Sequence, residues 1–388
     1  MLIKQSGYKL QKLPFRASPD EVRFGVSVTD EILSLLESSA PVAICVSGGK
    51  DSQASAIRVS EYLDSISHKG PRILVHSDLG SVEWKDSLPV CERLAKRLSL
   101  DLVVLRRKAG DMMERWETRW KNNVERYANL SCVKLILPWS TPSMRFCTSE
   151  LKTAVITSDL VKRFPGQPIV SVSGIRHAES SARAKMPVAK VQPKLSRKGL
   201  TGWDWHPLIE WSTEDVYEYL EMKKKPLHEA YRIYGSSRVS CSFCIMGSRQ
   251  DLAAATSCAD NHDIYRRMVD LEIRSTFSLQ SNFWLGDVAP HLLPGEMIER
   301  LEMAKEKARS RTLLESTIPK HLLFSKGVPD NIPTRPEAEL LSSIRKDISD
   351  ILGIAISHTD PDSIIDRYRD LVSCNTEEEL GVDAFSFA

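Results

Sequence analysis

The feature that most constrains the fold of this chain is a short apolar strand that runs through two glycines into a helix. Residues 42–46 form a continuous apolar run after Pro41, which is typical of a buried strand. Apolar side chains then recur at helical spacing, which predicts a helix over residues 51–63. The turn between them, residues 47–52, has the sequence Ser-Gly-Gly-Lys-Asp-Ser. A buried strand that leads directly into a helix is the repeating unit of parallel α/β sheets.

The same alternation continues through the first half of the chain. Further strands are predicted at residues 73–77, 102–105 and 169–173, and a second helix at residues 87–98. The predicted fold class is therefore α/β, with a doubly wound parallel sheet. Its ligand should lie beyond the carboxyl ends of the strands.

Three regions are expected along the chain. Residues 1–40 form a lead-in with one helix over residues 29–38, and residues 41–235 form the α/β domain. Residues 236–388 hold a cysteine-containing segment and then helices over residues 296–314 and 336–352, so the C-terminal appendage is mostly helical. The length of 388 residues exceeds what one hydrophobic core usually supports, which agrees with a second unit.

Composition limits the partners and compartments that fit this chain. The formal net charge is only +2, so a nucleic-acid partner would have to bind a local basic patch. No apolar run reaches the roughly 18 residues that span a bilayer, and residues 1–15 lack the apolar core of a signal peptide. We therefore expect no membrane partner and a cytoplasmic location. The eight cysteines would then be free thiols or metal ligands rather than disulfides.

The turn at residues 47–52 has the chemistry of a phosphate-binding loop. Gly48 and Gly49 permit positive φ angles, which turn peptide N–H groups toward an anion, and the following helix adds the positive end of its dipole. The side chains can contribute two hydroxyl donors, one ammonium, and one carboxylate for a magnesium ion or a helix cap: Ser47, Ser52, Lys50 and Asp51. The alternative is a glycine turn that binds no ligand.

This turn also carries a resemblance to a known family. Residues 47–52 resemble the pyrophosphatase loop of the N-type ATP pyrophosphatases, which cleave ATP to AMP and pyrophosphate while they adenylate an acceptor. Further segments resemble one branch, the phosphoadenosine phosphosulfate (PAPS) reductase family: HSDLG at 76–80, RFCTSELK at 145–152, GIRHAESSAR at 174–183 and PLIEWSTEDVY at 207–217. The resemblance covers roughly residues 40–250 and implies an adenine nucleotide alpha hydrolase-like fold.

The resemblance implies roles for individual residues. The nucleotide is expected close to His76, Asp78, Gly80 and Gly174. Arg176 and Arg183 would clamp the β- and γ-phosphates with their guanidinium groups, a geometry that lysine cannot provide. With Lys50 and Asp51 they form the expected catalytic set. The alternative for both arginines is an ordinary solvated position on the surface.

Two departures from the family pattern indicate which branch the chain resembles. PAPS reductases usually carry a degenerate phosphate loop and a cysteine nucleophile near the C-terminus, whereas this chain keeps the loop and its last cysteine, Cys374, has no such context. The combination resembles the ATP pyrophosphatase component of DNA phosphorothioation systems (DndC/SspD type). That implies ATP and Mg²⁺, a cysteine desulfurase as sulfur donor, DNA as acceptor and other modification-complex subunits as partners. Alternatives are a sulfite-releasing PAPS reductase, a tRNA-thiolation enzyme and a non-catalytic ATP-binding subunit.

The cysteines form a candidate metal site. Cys241 and Cys244 have a Cys-x-x-Cys spacing that can hold one metal centre, and Cys147 lies in a segment that the resemblance places near the nucleotide. With Cys258 as the fourth ligand, or Cys132 in its place, they are predicted to bind a [4Fe–4S] cluster. Structural zinc and metal-free thiols, including persulfide carriers, are the alternatives. Two further thiols are expected to be structural: Cys45 and Cys91.

The segment between residues 184 and 203 is rich in basic residues and contains no acidic residue. Its cations are Lys185, Lys190, Lys194, Arg197 and Lys198. Two prolines and two glycines predict a mobile loop there. Such a loop could close over ATP, contact a nucleic-acid backbone, or be solvated without a partner.

Overall fold

The structure, a computed structural model, describes residues 9–10, 23–281, 283–324 and 328–380. Contacts divide the chain into two compact units, one within the spans 1–112 and 141–264 and the other within 113–140 and 265–388. The segment 113–140 therefore belongs with the C-terminal helices, although it lies between two strands of the first unit in sequence. The division into residues 1–40, 41–235 and 236–388 that the sequence suggests stays a prediction.

The first unit is built on a six-stranded sheet, whose strands are β1 Val42–Cys45, β2 Arg72–Asp78, β3 Asp101–Arg106, β4 Val170–Val172, β5 Ala189–Val191 and β6 Trp203–Trp205. Their order across the sheet is β3-β2-β1-β4-β6-β5. All neighbours are parallel except β5 and β6, which are antiparallel. A separate two-residue ladder joins Lys9–Leu10 to Ser27–Val28.

The helices alternate with these strands and then continue alone. They are α1 Asp30–Glu37, α2 Lys50–Ser65, α3 Ser87–Leu98, α4 Met112–Ala128, α5 Ala154–Arg163, α6 Thr213–Met222, α7 Arg249–Thr256, α8 His262–Ser275, α9 Gly295–Ser316, α10 Arg335–Leu352 and α11 Pro361–Leu380. A one-turn helix at Phe146–Thr148 and a π-helical turn at Ser149–Thr153 lead into α5, and Glu229–Arg232 forms another single helical turn.

The central strands are buried on both faces, which is why they are apolar without interruption. Val42 and Ile44 of β1 point into a core cluster with α1, α2, α3 and α6. Ala43 points to the opposite face, where it joins a smaller cluster with residues of β2 and α5. Helices on both faces of a mostly parallel sheet confirm the predicted fold class, including the adenine nucleotide alpha hydrolase-like arrangement and the helical C-terminal region.

One local prediction is wrong. The sequence predicts a loop from residue 184 to 203, but residues 189–191 form the edge strand β5. This strand pairs with β6, so that Ala189 lies opposite Trp205. Val188 and Leu195 on either side of it are buried, and their burial fixes the segment in place. The strand is short and contains a lysine, which is common for sheet edges that avoid pairing with other chains.

The second unit is helical and has its own buried polar anchors. The Glu272 carboxylate accepts backbone N–H groups from Leu279, Leu285 and Gly286 at 2.7–3.1 Å. Trp116 and Trp139 pack edge to face, with ring centroids 5.3 Å apart. The helices predicted over residues 296–314 and 336–352 are confirmed as α9 and α10. Across the described residues, none of the helices is both long enough and apolar enough to cross a bilayer.

We predict that Arg345 is the main polar anchor of this unit. Its side chain is 1% exposed and donates to four carbonyl oxygens at 2.8–3.3 Å, those of Tyr127, Ala128, Ser357 and His358. Arg345→Leu takes one donor from the Tyr127 and Ala128 carbonyls and leaves those of Ser357 and His358 without a donor among the described residues. It should lower the free energy of unfolding by about 3–5 kcal/mol. Urea denaturation measures this, with Lys346→Leu as the exposed neighbouring control. Equal losses in both variants would show that the anchor is unimportant.

Candidate active site

The turn after β1 presents unpaired amides at the start of a helix. Gly48 has a φ angle of +77°, and Gly49 is the N-cap residue of α2 with no side chain to cap it. Within the part of the chain that the structure describes, the N–H groups of Gly48 and Gly49 donate to no acceptor. The positive end of the dipole of the 16-residue helix α2 lies at the same place. These features together form a site for an anion.

Hydrogen bonds within the turn hold it in this conformation. The Ser47 amide donates to Ser52 Oγ at 3.2 Å, and Ser52 Oγ donates to the Gly49 carbonyl at 2.9 Å. The Gln53 side chain donates to the Gly48 carbonyl at 2.8 Å. A Cβ atom on Gly174 would lie 2.6 Å from the Asp51 carbonyl oxygen, so only glycine fits at that position. The turn is therefore organised before any ligand binds.

A cavity of about 300 Å³ opens beside the turn, and we call it the turn cavity. It lies within the range of small-molecule sites, and the turn lines it through Ser47, Gly49, Asp51 and Ser52. Its cationic lining residues are Arg145, Lys152, Arg183 and Arg238. Its acidic lining residues are Asp51, Glu83 and Glu179.

The charges in the turn cavity do not cancel. Arg183 pairs with Glu179. In contrast, Arg145, Lys152 and Arg238 have no carboxylate within ion-pair distance among the described residues. The cavity therefore holds several uncompensated positive charges next to the free amides of the turn. This arrangement favours a multiply charged anion such as a polyphosphate.

Lys50 lies outside the lining of this cavity. Its side chain is 7% exposed, and its ammonium group lies 3.3 Å from an Asp51 carboxylate oxygen. The ammonium also faces the rings of Tyr217 and Tyr231, at 5.7 and 5.5 Å from their centroids. The expectation that Lys50 places a point charge on the phosphates therefore differs from its position in this structure.

Arg176 contacts the turn rather than the cavity. It is 2% exposed, and its Nε donates to Asp51 Oδ1 at 2.8 Å. Its Nη1 donates to the Trp211 carbonyl at 3.1 Å. Both carboxylate oxygens of Asp51 are thus held by cations, one from Arg176 and one from Lys50. Of the two arginines expected to clamp phosphates, the structure places only Arg183 on the cavity wall.

The residues at the end of β2 that are predicted to lie close to the nucleotide stand beside the cavity but do not line it. Asp78 accepts the Gly80 amide at 2.7 Å and pairs with Arg106. His76 is buried, with Nδ1 at 3.0 Å from the Val46 carbonyl and Nε2 at 3.2 Å from Glu83. His76 therefore supports Glu83, which does reach the cavity.

The charge of His76 follows from its surroundings. Burial alone would lower its pKa, but hydrogen bonds with Cys91 and Glu83 and the negative charge of Glu83 raise the pKa of His76 to about 10. The imidazole is therefore protonated at neutral pH and pairs with the Glu83 carboxylate. This pair fixes one acidic wall of the turn cavity.

Cysteines converge on the cavity, although not all of those expected. Cys147, Cys241 and Cys244 line it, and so does Cys45, for which the sequence predicts a structural position. Cys241 is held there by a β-bridge with Glu83, and burial raises the pKa of its thiol, as do the nearby thiols of Cys244 and Cys147. Burial likewise raises the pKa of Cys45 to about 11.

The fourth predicted ligand lies elsewhere. Cys258 is buried outside the cavity lining and shares a hydrogen bond with the Tyr234 hydroxyl, and Cys132 belongs to the second unit. Among the described residues, no three His, Cys, Asp or Glu side chains stand close enough to hold one metal ion. The thiols share a cavity but do not form a ready-made cluster site.

Sequence reasoning missed two residues of this site. Arg238 stands three positions before Cys241 and has no motif of its own, so only its position on the cavity wall identifies it. Glu83 has no motif either, and its signal is the buried histidine that it pairs with. Arg145 and Lys152 lie in a segment that resembles the family, but the resemblance implies no role for their charges.

We predict a pH-dependent contribution from the His76–Glu83 pair. Because the pKa of His76 is raised, the pair should stabilise the fold fully below about pH 6.5 and lose its effect as pH rises through about 10. Glu83→Gln should lower the free energy of unfolding by about 1–3 kcal/mol at neutral pH, and the gap to wild type should close near pH 10. Denaturation across this pH range tests it, with exposed Glu92→Gln as control. A constant gap would contradict the pairing.

Comparisons with known proteins match half of this chain or more. An uncharacterized protein of Methanocaldococcus jannaschii is 23% identical over 198 residues, which cover 51% of this chain. The chain spans only 40% of the length of that relative.

Similar solved structures share little sequence with this chain. An FMN adenylyltransferase from Candida glabrata with FMN and an ATP analogue has a TM-score of 0.32 at 18% identity, covering 52% of this chain and 54% of its own. A PAPS reductase from Candida auris has a TM-score of 0.34 at 13% identity, covering 55% and 96%. The U34-tRNA thiolase NcsA from Methanococcus maripaludis, with its [4Fe-4S] cluster, has a TM-score of 0.34 at 12% identity, covering 78% and 88%.

The family comparison covers more than half of the chain. Residues 41–246 match the phosphoadenosine phosphosulfate reductase domain, and they include the whole sheet, the turn and the residues that line the turn cavity. The family takes its name from an enzyme that acts on a nucleotide. This chain belongs to the phosphoadenosine phosphosulfate reductase domain family.

Proposed function

We propose that this chain is an ATP pyrophosphatase that adenylates an acceptor for sulfur transfer. The observation that carries the proposal is the turn at residues 47–52, where free glycine amides at a helix N-terminus face a cavity with uncompensated cations. A triphosphate needs these groups, because its negative charge is spread over many oxygens.

The reaction follows from the charges in the turn cavity. An acceptor oxygen attacks the α-phosphorus of ATP, and the bond to the bridging oxygen of the β-phosphate breaks. Pyrophosphate then leaves with the electron pair of that bond, so negative charge grows on the leaving group. Arg145, Lys152 and Arg238 are the cations with no carboxylate partner in the described chain, and they can stabilise this charge.

The resemblance implies a magnesium ion and a [4Fe–4S] cluster, and the residues present do not fit these two groups equally well. Asp51 lines the cavity, but Arg176 and Lys50 already hold both of its carboxylate oxygens, so a magnesium ion on the phosphates would have to displace one of these cations to take Asp51 as a ligand. The predicted [4Fe–4S] cluster has no matching set of ligands in the described residues, so no step is assigned to it. The thiols of Cys147, Cys241 and Cys244 nevertheless share the cavity with the proposed ATP site.

Sulfur transfer would follow adenylation. A cysteine desulfurase supplies sulfur as a persulfide, whose terminal sulfur displaces AMP from the activated acceptor. A second thiol then attacks the carbon-bound sulfur of the new S–S bond, which leaves one sulfur on the acceptor and releases a disulfide. We propose the DNA backbone as acceptor, in a DNA phosphorothioation system with further modification subunits, and a cytoplasmic location. The sequence supports this branch, because the chain combines an intact phosphate loop with family segments. A second candidate is a reductase that releases sulfite from PAPS, which the cavity thiols and the family name favour.

The test is a product analysis with wild type and Arg238→Gln. Wild type, given ATP, magnesium, DNA, cysteine and a cysteine desulfurase, should form AMP and pyrophosphate. Loss of the Arg238 charge should reduce kcat/KM for pyrophosphate release by about 100-fold, since one charged donor to the leaving group is removed. Arg232→Gln, an exposed arginine outside the cavity lining, is the matched control and should retain full activity.

Other products would point to other functions. Formation of ADP and phosphate would contradict cleavage between the α- and β-phosphates. Sulfite release from PAPS and a thiol donor, without turnover of ATP, would favour the reductase. ATP binding with no product under any of these conditions would leave only a nucleotide-binding role.

A further inference from the structure

An open groove of about 550 Å³ lies beside the turn cavity and shares residues with it. We call it the outer groove. Arg145 and Thr148 line both spaces, so a ligand in the outer groove can reach the cavity wall without crossing the protein. The other groove residues used below are Ser149, Gln192 and Lys194.

The lining of the outer groove is cationic and rich in hydrogen-bonding groups. Arg145 and Lys194 carry its positive charges, and none of the lining residues is acidic. Both side chains are exposed, and neither has a carboxylate within ion-pair distance among the described residues. The rest of the wall combines hydroxyl and amide side chains with the apolar side chains of Met144 and Phe146. An anionic ligand with many hydrogen-bonding oxygens fits this surface.

The charge of the groove continues along the edge of the sheet. Lys194 belongs to the basic segment, defined as residues 185–198, whose cations also include Lys185, Lys190, Arg197 and Lys198. All five side chains are exposed, and none has a carboxylate within ion-pair distance among the described residues. Lys190 lies opposite Asp204 on β6, and its charge acts on that carboxylate. The segment is not a free loop, because strand β5 and buried Val188 and Leu195 fix its path. Its cations therefore have a fixed arrangement.

This concentration of charge is local. The whole chain has a net charge of only +2, so the basic residues outside this segment are offset by acidic residues. A basic stripe on a nearly neutral protein is a surface for a polyanion, whose neighbouring charges are bound together. A small anion would occupy only one or two of these cations.

We propose that the outer groove and the basic segment bind the sugar–phosphate backbone of a nucleic-acid strand, and that this strand is the acceptor. The proposal rests on the proposed adenylation in the turn cavity. It places one backbone phosphate near Arg145, where the groove meets that cavity, and the flanking phosphates along Lys194, Lys190 and Lys185. A backbone phosphate oxygen is already anionic, so it can attack the α-phosphorus without losing a proton.

The experiment compares two triple variants of the full chain. Lys185→Gln, Lys190→Gln and Lys194→Gln are combined in the first, and Lys307→Gln, Lys320→Gln and Lys346→Gln in the second. The second set lies in the other unit on exposed, unpaired lysines, so both variants lose the same charge. Fluorescence anisotropy measures binding of labelled single-stranded DNA, duplex DNA and RNA of one length, from low to physiological salt.

Only the first variant should lose affinity. Each lost phosphate contact should reduce the slope of log K against log salt by about 0.7 on a single strand, so three contacts reduce it by about 2. ATP binding should be unchanged in both variants, because none of the six lysines lines the turn cavity. The nucleic acid that binds most tightly identifies the sugar of the acceptor.

The outcomes separate this proposal from the proposed function. Equal oligonucleotide affinity and salt slope in the two triple variants would overturn the nucleic-acid surface, even if wild type forms AMP and pyrophosphate. Displacement of the oligonucleotide by polyglutamate at equal charge concentration would assign the surface to an acidic polypeptide instead. Selective loss of binding in the first variant would support the surface, even if no pyrophosphate is released.

Discussion

The active-site geometry depends on the contact between buried Arg176 and the Asp51 carboxylate. Asp51 is the second residue of α2, so this contact ties the start of the helix to the segment after β4. Burying a guanidinium costs several kcal/mol unless its donors are satisfied, and here Asp51 and the Trp211 carbonyl accept from it. Gly174 lets that segment approach the Asp51 backbone closely. The free glycine amides keep one orientation because the residues directly after them are held in this way.

The positive charges near the turn fall into two groups with different tasks. Lys50 and Arg176 are buried, and their charge is used on Asp51, so they stabilise the turn itself. Arg145, Lys152 and Arg238 reach the cavity without a carboxylate partner in the described chain, so their charge is available to a ligand. Loss of a residue from the first group would damage the shape of the site. Loss of one from the second group would leave the turn intact and weaken its hold on an anion.

The sequence predicted the fold well because its signals are local. Strands buried on both faces give apolar runs such as residues 42–46, and helices give a 3.6-residue period, so both can be identified without knowing what they touch. The turn was predicted for the same reason. Strand β5 was missed because it forms by pairing with Trp203 and Trp205 of β6. A partner at that distance along the chain leaves no local pattern in the sequence of β5. The orientation of Arg176 could not be predicted either, because a motif gives its position after a strand but not the acid that it meets.

The positions of the thiols could be predicted only in part, for the same reason. Spacing identified Cys241 and Cys244 as a pair, and the structure places them on the cavity wall through a bridge to Glu83. Nothing in the sequence signalled that Cys45 at the end of β1 would face the same cavity, because which face a strand residue takes depends on sheet register. Burial raises the pKa of Cys45 and of Cys241, so these thiols stay protonated and are poor nucleophiles in the cavity as it stands. Sulfur chemistry there would require a cation or a metal to lower those pKa values. The unpaired Lys152, whose charge already acts on both thiols, is the cation best placed to do so.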